Sequence, residues 1–422
     1  MDEINDFKFI YIYLLSILIF GLIFYSLFSK KIKPFNAFDY FWYLLFIICN
    51  FIAVIMVLIF YGYISLIYIF FYLLIFGFLF IGIYFGGRFQ VRIKPLYIEK
   101  TIFCSKYFYP ILIFSLISIF SGLLSNFNTW MMDGDPHLNR IQVLQNNAGL
   151  FYFSWVIGNS TTVYLMLSAL CSEKKSLKIL SYLAVILTVI VSVTGASRSG
   201  VLGQIFQISL VLYIVKDKII INKALVKLIF IFLFLVFSGG VIYITAIKGD
   251  ERNIIYVFVE RLVFSADAII YQHVFLQENF EYHLDSSWNY FLHPLLRLLD
   301  LSVINAGIGP SMSAALSGEL TGRGPVSTFM YDGLYVFGFY GALVYSFFVG
   351  FFLSFSRKIL VYFVDAQLIL KDFFAFFFSV LIFFLGGVLI NDLLTFSALI
   401  TVASPILFSI VILILFYKNF RI

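Results

Sequence analysis

From residue 40 to residue 60 the chain reads YFWYLLFIICNFIAVIMVLIF, without one charged side chain. A helix needs roughly 20 apolar residues to cross the hydrocarbon core of a bilayer, where no backbone polar group can be left unpaired. This stretch meets that length, and it decides how the rest of the chain is read. Working outward, the same length recurs at about 9–28, 64–85, 107–124, 149–171, 178–195, 199–215, 226–247, 332–355, 373–390 and 393–416. The runs 40–85 and 373–416 are split into hairpins at Tyr61–Tyr63 and Asn391–Asp392. With 62% hydrophobic and 12% charged residues, the composition leaves no room for a soluble domain. The expected fold is an all-α polytopic membrane protein with eleven spans, within a range of ten to twelve. It forms one integral membrane domain over residues 1–422.

Alternating the sides of the membrane tests that division. With the N-terminus outside, the cytoplasmic segments are 29–39, 86–106, 172–177, 216–225, 356–372 and the C-terminal tail. With a few flanking residues they hold 20 of the 28 basic residues, and the opposite face keeps 8 of them with 16 of the 22 acids. Every cytoplasmic segment then obeys the positive-inside rule. The first span follows Asp2, Glu3 and Asp6 and precedes Lys30, Lys31 and Lys33, so it reads as an uncleaved anchor rather than a signal peptide. The net charge of +6 is therefore a topology signal and not a nucleic-acid signal. Cys49, Cys104 and Cys171 fall in spans or near the inner face and form no disulfide framework. The expected location is a bacterial cytoplasmic membrane, with the C-terminus in the cytoplasm.

Residues 248–330 interrupt this pattern as a polar island and fall outside. The island holds His273, His283 and His293 with Arg252, Arg261, Arg297 and Arg323. Its Leu, Phe, Tyr and Ile content argues for a folded, partly helical loop, and loops of such length are commonly functional. Residues 254–275 have helical periodicity. Ile255, Phe258, Leu262, Ala266, Ile269 and Ile270 share one face, with Glu260, Asp267 and Tyr271 on another. That pattern predicts an amphipathic helix lying on the membrane surface, with Arg252 at its entry.

Six of the eight outer basic residues are arginines, whereas lysine dominates inside. A guanidinium fork binds phosphate oxygens in pairs and keeps its charge, although snorkelling and pairing with outer acids also use arginine. Thr194-Gly195-Ala196-Ser197-Arg198-Ser199-Gly200 joins two spans through a very short outer turn. It reads either as a nest of backbone N–H groups beside Arg198 for an anionic group, or as an ordinary tight turn. His293, Arg297 and Asp300 would share one face of a helix starting near Pro294, as a polar stripe or as a cap with a surface ion pair. Asp133-Gly134-Asp135-Pro136-His137 has the form of a DxD metal or nucleotide-sugar motif, but Gly134 and Pro136 favour a turn and candidate ligands are few. No metal or other cofactor is expected.

One segment has a more specific pattern. Gly322-Arg323-Gly324-Pro325-Val326-Ser327-Thr328-Phe329-Met330-Tyr331-Asp332-Gly333 runs into Leu334-Tyr335-Val336-Phe337-Gly338-Phe339-Tyr340-Gly341. It resembles the segment after the long outer loop in Wzy-type oligosaccharide repeat-unit polymerases of O-antigen and capsule synthesis. The turn around Arg198 is similar to the Ser-Arg motif of the wider O-antigen polymerase and ligase group. The Arg-x10-Gly pattern of some members has no match here, which leaves the roles of the loop arginines open.

The resemblance implies a GT-C-like membrane glycosyltransferase working on the outer face of the membrane. Its donor is a growing glycan on undecaprenyl pyrophosphate, and its acceptor is a repeat unit on the same carrier. A Wzx-type flippase and a Wzz-type chain-length regulator are its expected partners. Pyrophosphate departs from the anomeric carbon, so fixed cations must meet the developing charge. Arg198, Arg252 and Arg323 are the candidates, with Arg140, Arg297 and Tyr331 as further substrate contacts. The acceptor hydroxyl needs a carboxylate or imidazole, for which Asp332, Asp300 and His293 are the candidates in that order. Asp332 also reads as a helix N-cap. The rival readings are an O-antigen ligase, which shares the donor, and a lipid-oligosaccharide flippase or other transporter, which would place charges at mid-membrane. A structural partner of the same machinery is a third.

Overall fold

The computed structural model describes residues 7–28, 39–89, 101–132, 148–194, 198–215, 266–276, 287–298, 308–318, 325, 328–390, 393, 396–397 and 399–401. Every regular element among them is helical. The first seven helices are α1 (Phe7–Phe28), α2 (Tyr40–Phe60), α3 (Ile67–Arg88), α4 (Ser105–Met131), α5 (Ala148–Cys171), α6 (Lys175–Thr194) and α7 (Arg198–Ile214). Then come α8 (Asp267–Ile270), which continues into a π turn at Tyr271–Phe275, α9 (Ser287–Leu298), α10 (Ile308–Ser317), α11 (Phe329–Asp365) and α12 (Phe373–Leu389). Five are long and apolar enough to cross a membrane: Tyr40–Phe60, Ile67–Arg88, Ser105–Thr129, Lys175–Ser192 and Phe329–Asp365. Shorter apolar helices occupy Ile10–Ser26, Ile157–Cys171, Gly203–Ile214 and Phe373–Leu389. The chain is thus an all-α protein with membrane-length helices. The expected span 226–247 and most of 393–416 lie outside the described residues.

Two expected helix bounds change. The fourth helix runs to Met131 rather than ending near residue 124. Its extra turns carry polar side chains that find partners. Asn126 Nδ2 donates to the Val191 carbonyl at 2.9 Å, and Thr129 Oγ1 donates to the Ser125 carbonyl at 2.9 Å.

The second change is larger. The sequence predicts one continuous span over 332–355, but Gly338 breaks it with φ 70° and ψ −177°. That combination is essentially confined to glycine. The chain then folds back on itself. A Cβ on Gly333 would meet Ala342 Cα and Tyr345 Cδ1 at 3.1 Å, and the Phe337 and Tyr345 rings lie 5.5 Å apart. In a straight helix the backbones at 333 and 342 would be separated by about 13 Å at the usual rise. Residues 329–337 are therefore a short helix packed against the long one that starts at 339.

The described helices cluster into two compact units. The first comprises Met1–Ile81, Lys216–His283 and Ala306–Phe348. Lipid tails are as apolar as leucine, so packing and hydrogen bonds rather than hydrophobic burial hold helices together in a bilayer. Here α1 and α2 are joined by the Tyr13 hydroxyl, which donates to Asn50 Oδ1. Both residues are wholly buried. Such a bond contributes about 0.6 kcal/mol on average. Asp39 caps α2 by accepting from Phe41 N at 3.1 Å. In the same unit, α10 meets the end of the Gly-Arg-Gly-Pro segment. A Cβ on Gly309 would lie 2.0 Å from the Pro325 carbonyl oxygen, so only a glycine permits that approach.

The second unit comprises Gly82–Val215, Leu284–Asn305 and Val349–Ile422. Its helices α4 to α7 pack as a bundle, with α12 against α5. Asp372 caps α12 by accepting from Phe374 N and Ala375 N at 2.9 and 3.1 Å. The Tyr164 hydroxyl donates to the Ile102 carbonyl at 2.8 Å, and Ile102 N donates to the Leu370 carbonyl at 3.1 Å. Tyr107 stacks on Phe373 with ring centroids 4.5 Å apart.

Candidate functional site

Three segments of the first unit supply a cluster of acids, tyrosines and a histidine. The first is α3, with Tyr68 and Tyr72. The second is α8 with its π turn, which carries Asp267, Tyr271, Gln272 and His273. The third is the short helix 329–337, with Tyr331, Asp332 and Tyr335. The π turn closes with Leu276 N donating to the Tyr271 carbonyl at 2.9 Å. Widened turns of this kind recur at functional sites because they re-aim the side chains they carry. Here Gln272 accepts from the Tyr335 hydroxyl, and His273 packs edge-on against Tyr68 with ring centroids 4.8 Å apart.

Tyr331 is the centre of the cluster. Its ring stacks on Tyr335 at 5.9 Å and 13°, as the four-residue spacing on a helix allows. It also lies 6.0 Å from Phe51, whose ring meets Tyr72 edge-on at 5.0 Å. The Tyr331 hydroxyl faces that of Tyr72 and lies within electrostatic reach of Asp267 and Tyr335. Asp332 is wholly buried, and Asp267 nearly so. Burial, and then the Asp267 carboxylate beside it, hold the Tyr271 hydroxyl above the ordinary phenol value. The buried Asp267 beside Tyr271, and Asp332 buried on the same short helix as Tyr331, offer carboxyl and phenol oxygens of the kind that accept from and orient a hydroxyl-bearing ligand.

The expected site residues fare differently. Tyr331 lies in this cluster, and Asp332 follows it, buried on the same short helix. Asp332 does not cap the helix. It lies in the first turn, with its own N–H donating to the Thr328 carbonyl at 3.1 Å. His293 belongs to the second unit, buried on α9 beside the wholly buried Tyr290, with Trp288 and Leu292 exposed. The predicted helix start near Pro294 is corrected. The helix begins at Ser287, so His293 lies within it rather than at its cap. Arg297 falls in its last turn, and Asp300 lies outside the described residues. Arg198 opens α7, while Arg140, Arg252 and Arg323 also lie outside the described residues, as does Asp133–His137.

The expected surface helix over 254–275 is also corrected where it is described. Its C-terminal part is a single α turn followed by a π turn. Ala266, Asp267, Ala268, Ile269 and Ile270 are all buried there, and α8 packs on α2. Sequence patterning does not mark Tyr72, Asp267, Gln272 or Tyr335 as site residues. Asp267 and Tyr271 did stand out as one polar face, which was the available signal. Among the described residues no three His, Cys, Asp or Glu side chains gather as a metal-binding group. No family model, curated protein or solved structure matches the chain.

Proposed function

We propose that this protein is a polysaccharide polymerase. It transfers an undecaprenyl-pyrophosphate-linked glycan onto an undecaprenyl-pyrophosphate-linked repeat unit at the outer face of a bacterial cytoplasmic membrane. One observation carries the reading. The Tyr331-Asp332-Gly333 segment, which bears the resemblance to Wzy-type polymerases, carries a buried acid on a short helix whose Tyr331 stacks on Tyr335 and whose Tyr335 donates to Gln272 of the polar island. In this reading Asp332 takes the proton of the acceptor hydroxyl as that oxygen attacks the anomeric carbon of the donor glycan. Tyr331, Tyr335 and Tyr72 offer aromatic faces and hydroxyls to the sugars. The bond from the anomeric carbon to the pyrophosphate oxygen breaks, and the departing charge falls to Arg198, Arg252 and Arg323.

A clean deletion tests the reading in cells. A polymerase deletion leaves surface lipopolysaccharide or capsule carrying single repeat units. Loss of even the single unit would overturn the proposal in favour of a ligase or a flippase.

A further inference from the structure

The second unit carries a layer of carboxamides inside its apolar helices, apart from the acid and tyrosine cluster. Gln204 and Gln207 are three residues apart, hence on one face of α7, and each is only 4% exposed. Gln204 Nε2 donates to Ser192 Oγ on α6 at 3.0 Å, and Gln207 Nε2 donates to Asn159 Oδ1 on α5 at 2.6 Å. Ser192 Oγ in turn donates to the Thr188 carbonyl at 3.0 Å. Gln204 Oε1, Gln207 Oε1 and the buried Ser160 Oγ, on the residue after Asn159, have no hydrogen-bond partner among the described residues. Gln204 lies about 9 Å into α7 from Arg198 at the usual helical rise.

Two of the helices that build this layer also pack closely on α4. A Cβ on Gly158 would meet Ser118 Oγ at 2.8 Å, and one on Gly122 would meet Val191 Cγ1 at 2.5 Å. Close approach at these glycines packs α4 closely on α5 and α6. Acceptors buried this way demand hydrogen-bond donors.

The chemistry of the missing partner follows from the amide group. A half-turn of each carboxamide exchanges its oxygen and nitrogen, turning a free acceptor into a free donor. A cation suits only the first arrangement and an anion only the second, whereas a hydroxyl donates and accepts and so suits both. The side chains that build the layer are Gln, Asn and Ser, and all are neutral. We propose that the α5–α6–α7 layer is a hydroxyl-binding site within the membrane bundle, taking either water or a carbohydrate hydroxyl.

Cysteine reactivity tests this on the full-length chain in membranes, with Cys49, Cys104 and Cys171 replaced by alanine. Methanethiosulfonates react with the thiolate, which forms only where the site is hydrated or polar. Ser160→Cys is therefore expected to react roughly tenfold or more faster than Ala169→Cys, a buried apolar position on the same helix. If saturating maltose slows that reaction, the bound hydroxyl belongs to carbohydrate, and if the rate is unchanged it belongs to water. Equal, slow reaction at both positions would overturn the proposal. An electron-microscopy map of the unaltered chain in lipid nanodiscs gives a second reading, whatever the variant does to folding. It should show density within hydrogen-bond range of Gln204 or Gln207, and its absence at a resolution that shows other waters would overturn the proposal.

Discussion

The Tyr335 hydroxyl donates to Gln272 Oε1, joining the short helix that carries Asp332 to the π turn of the segment before it. The two residues are 63 positions apart, so this bond ties the polar island to the chain that follows it. Tyr335→Phe removes the donor and leaves the Gln272 carbonyl without it. The expected cost is about 1 kcal/mol of stability. Polymer length should fall while the amount of protein in the membrane stays close to normal. Gel profiles of surface polysaccharide and a thermal-unfolding assay in detergent check both parts.

Gly338 holds the reversal that brings Gly333 against Ala342. Gly338→Ala places a Cβ on backbone with φ 70° and should cost on the order of 1–3 kcal/mol. Gly77→Ala is the contrasting case. It lies inside α3 with nothing within 4 Å of the added Cβ, and should be neutral or stabilising by up to about 1 kcal/mol. Unfolding midpoints of the two variants separate backbone strain from the mere addition of a methyl group. Equal midpoints would mean that the break at Gly338 is not populated.

Asp332 is the acid on which the proposed chemistry depends. Asp332→Asn keeps shape and hydrogen-bonding capacity but cannot take a proton. Its polymerising activity should fall by roughly 10²–10⁴-fold, the usual contribution of a positioned acid or base. Expression should hold, since the substitution is nearly isosteric. Near-normal chain length from Asp332→Asn would move the base elsewhere, with Asp267 the next to test.

Arg198, Arg252 and Arg323 are proposed to meet the donor pyrophosphate. Lysine keeps the charge and loses the fork, so each Arg→Lys change should lower activity by roughly 10²-fold or more, with membrane insertion unaffected. Normal polymer from the lysine variants would remove these residues from the mechanism and leave the reading of Asp332 intact.

Much of the fold was legible because an apolar run of about 20 residues has few other fates. The hairpin turn expected at Tyr61–Tyr63 follows directly on Phe60, where α2 ends. What escaped sequence reading has physical causes. Gly338 sits between Phe337 and Phe339, where a glycine in a membrane helix is ordinary. Its role depends on Gly333 and Ala342 meeting across the turn, and no local pattern reports that contact. Asp267 shows the limit of periodicity. The period correctly put it with Tyr271 on a polar face, but a period cannot tell whether that face meets water or protein. Here Asp267 is buried in protein rather than facing water. The helix at 287–298 was expected to start near Pro294, because proline favours a first turn. The residues before it form helix too, which places His293 inside.

Whether this chain alone lengthens a lipid-linked glycan can be read from a reconstituted reaction. The purified full-length protein in liposomes would be given only undecaprenyl-pyrophosphate-linked repeat units from its own host. Products would then be resolved by size, beside the Asp332→Asn variant. The native protein is expected to give a ladder of lipid-linked oligomers and to release undecaprenyl pyrophosphate in step with each added unit, while the variant gives single units. Single units alone from the native protein, with the same units moved intact across the liposome membrane or onto a lipid acceptor, would contradict the proposed polymerase function.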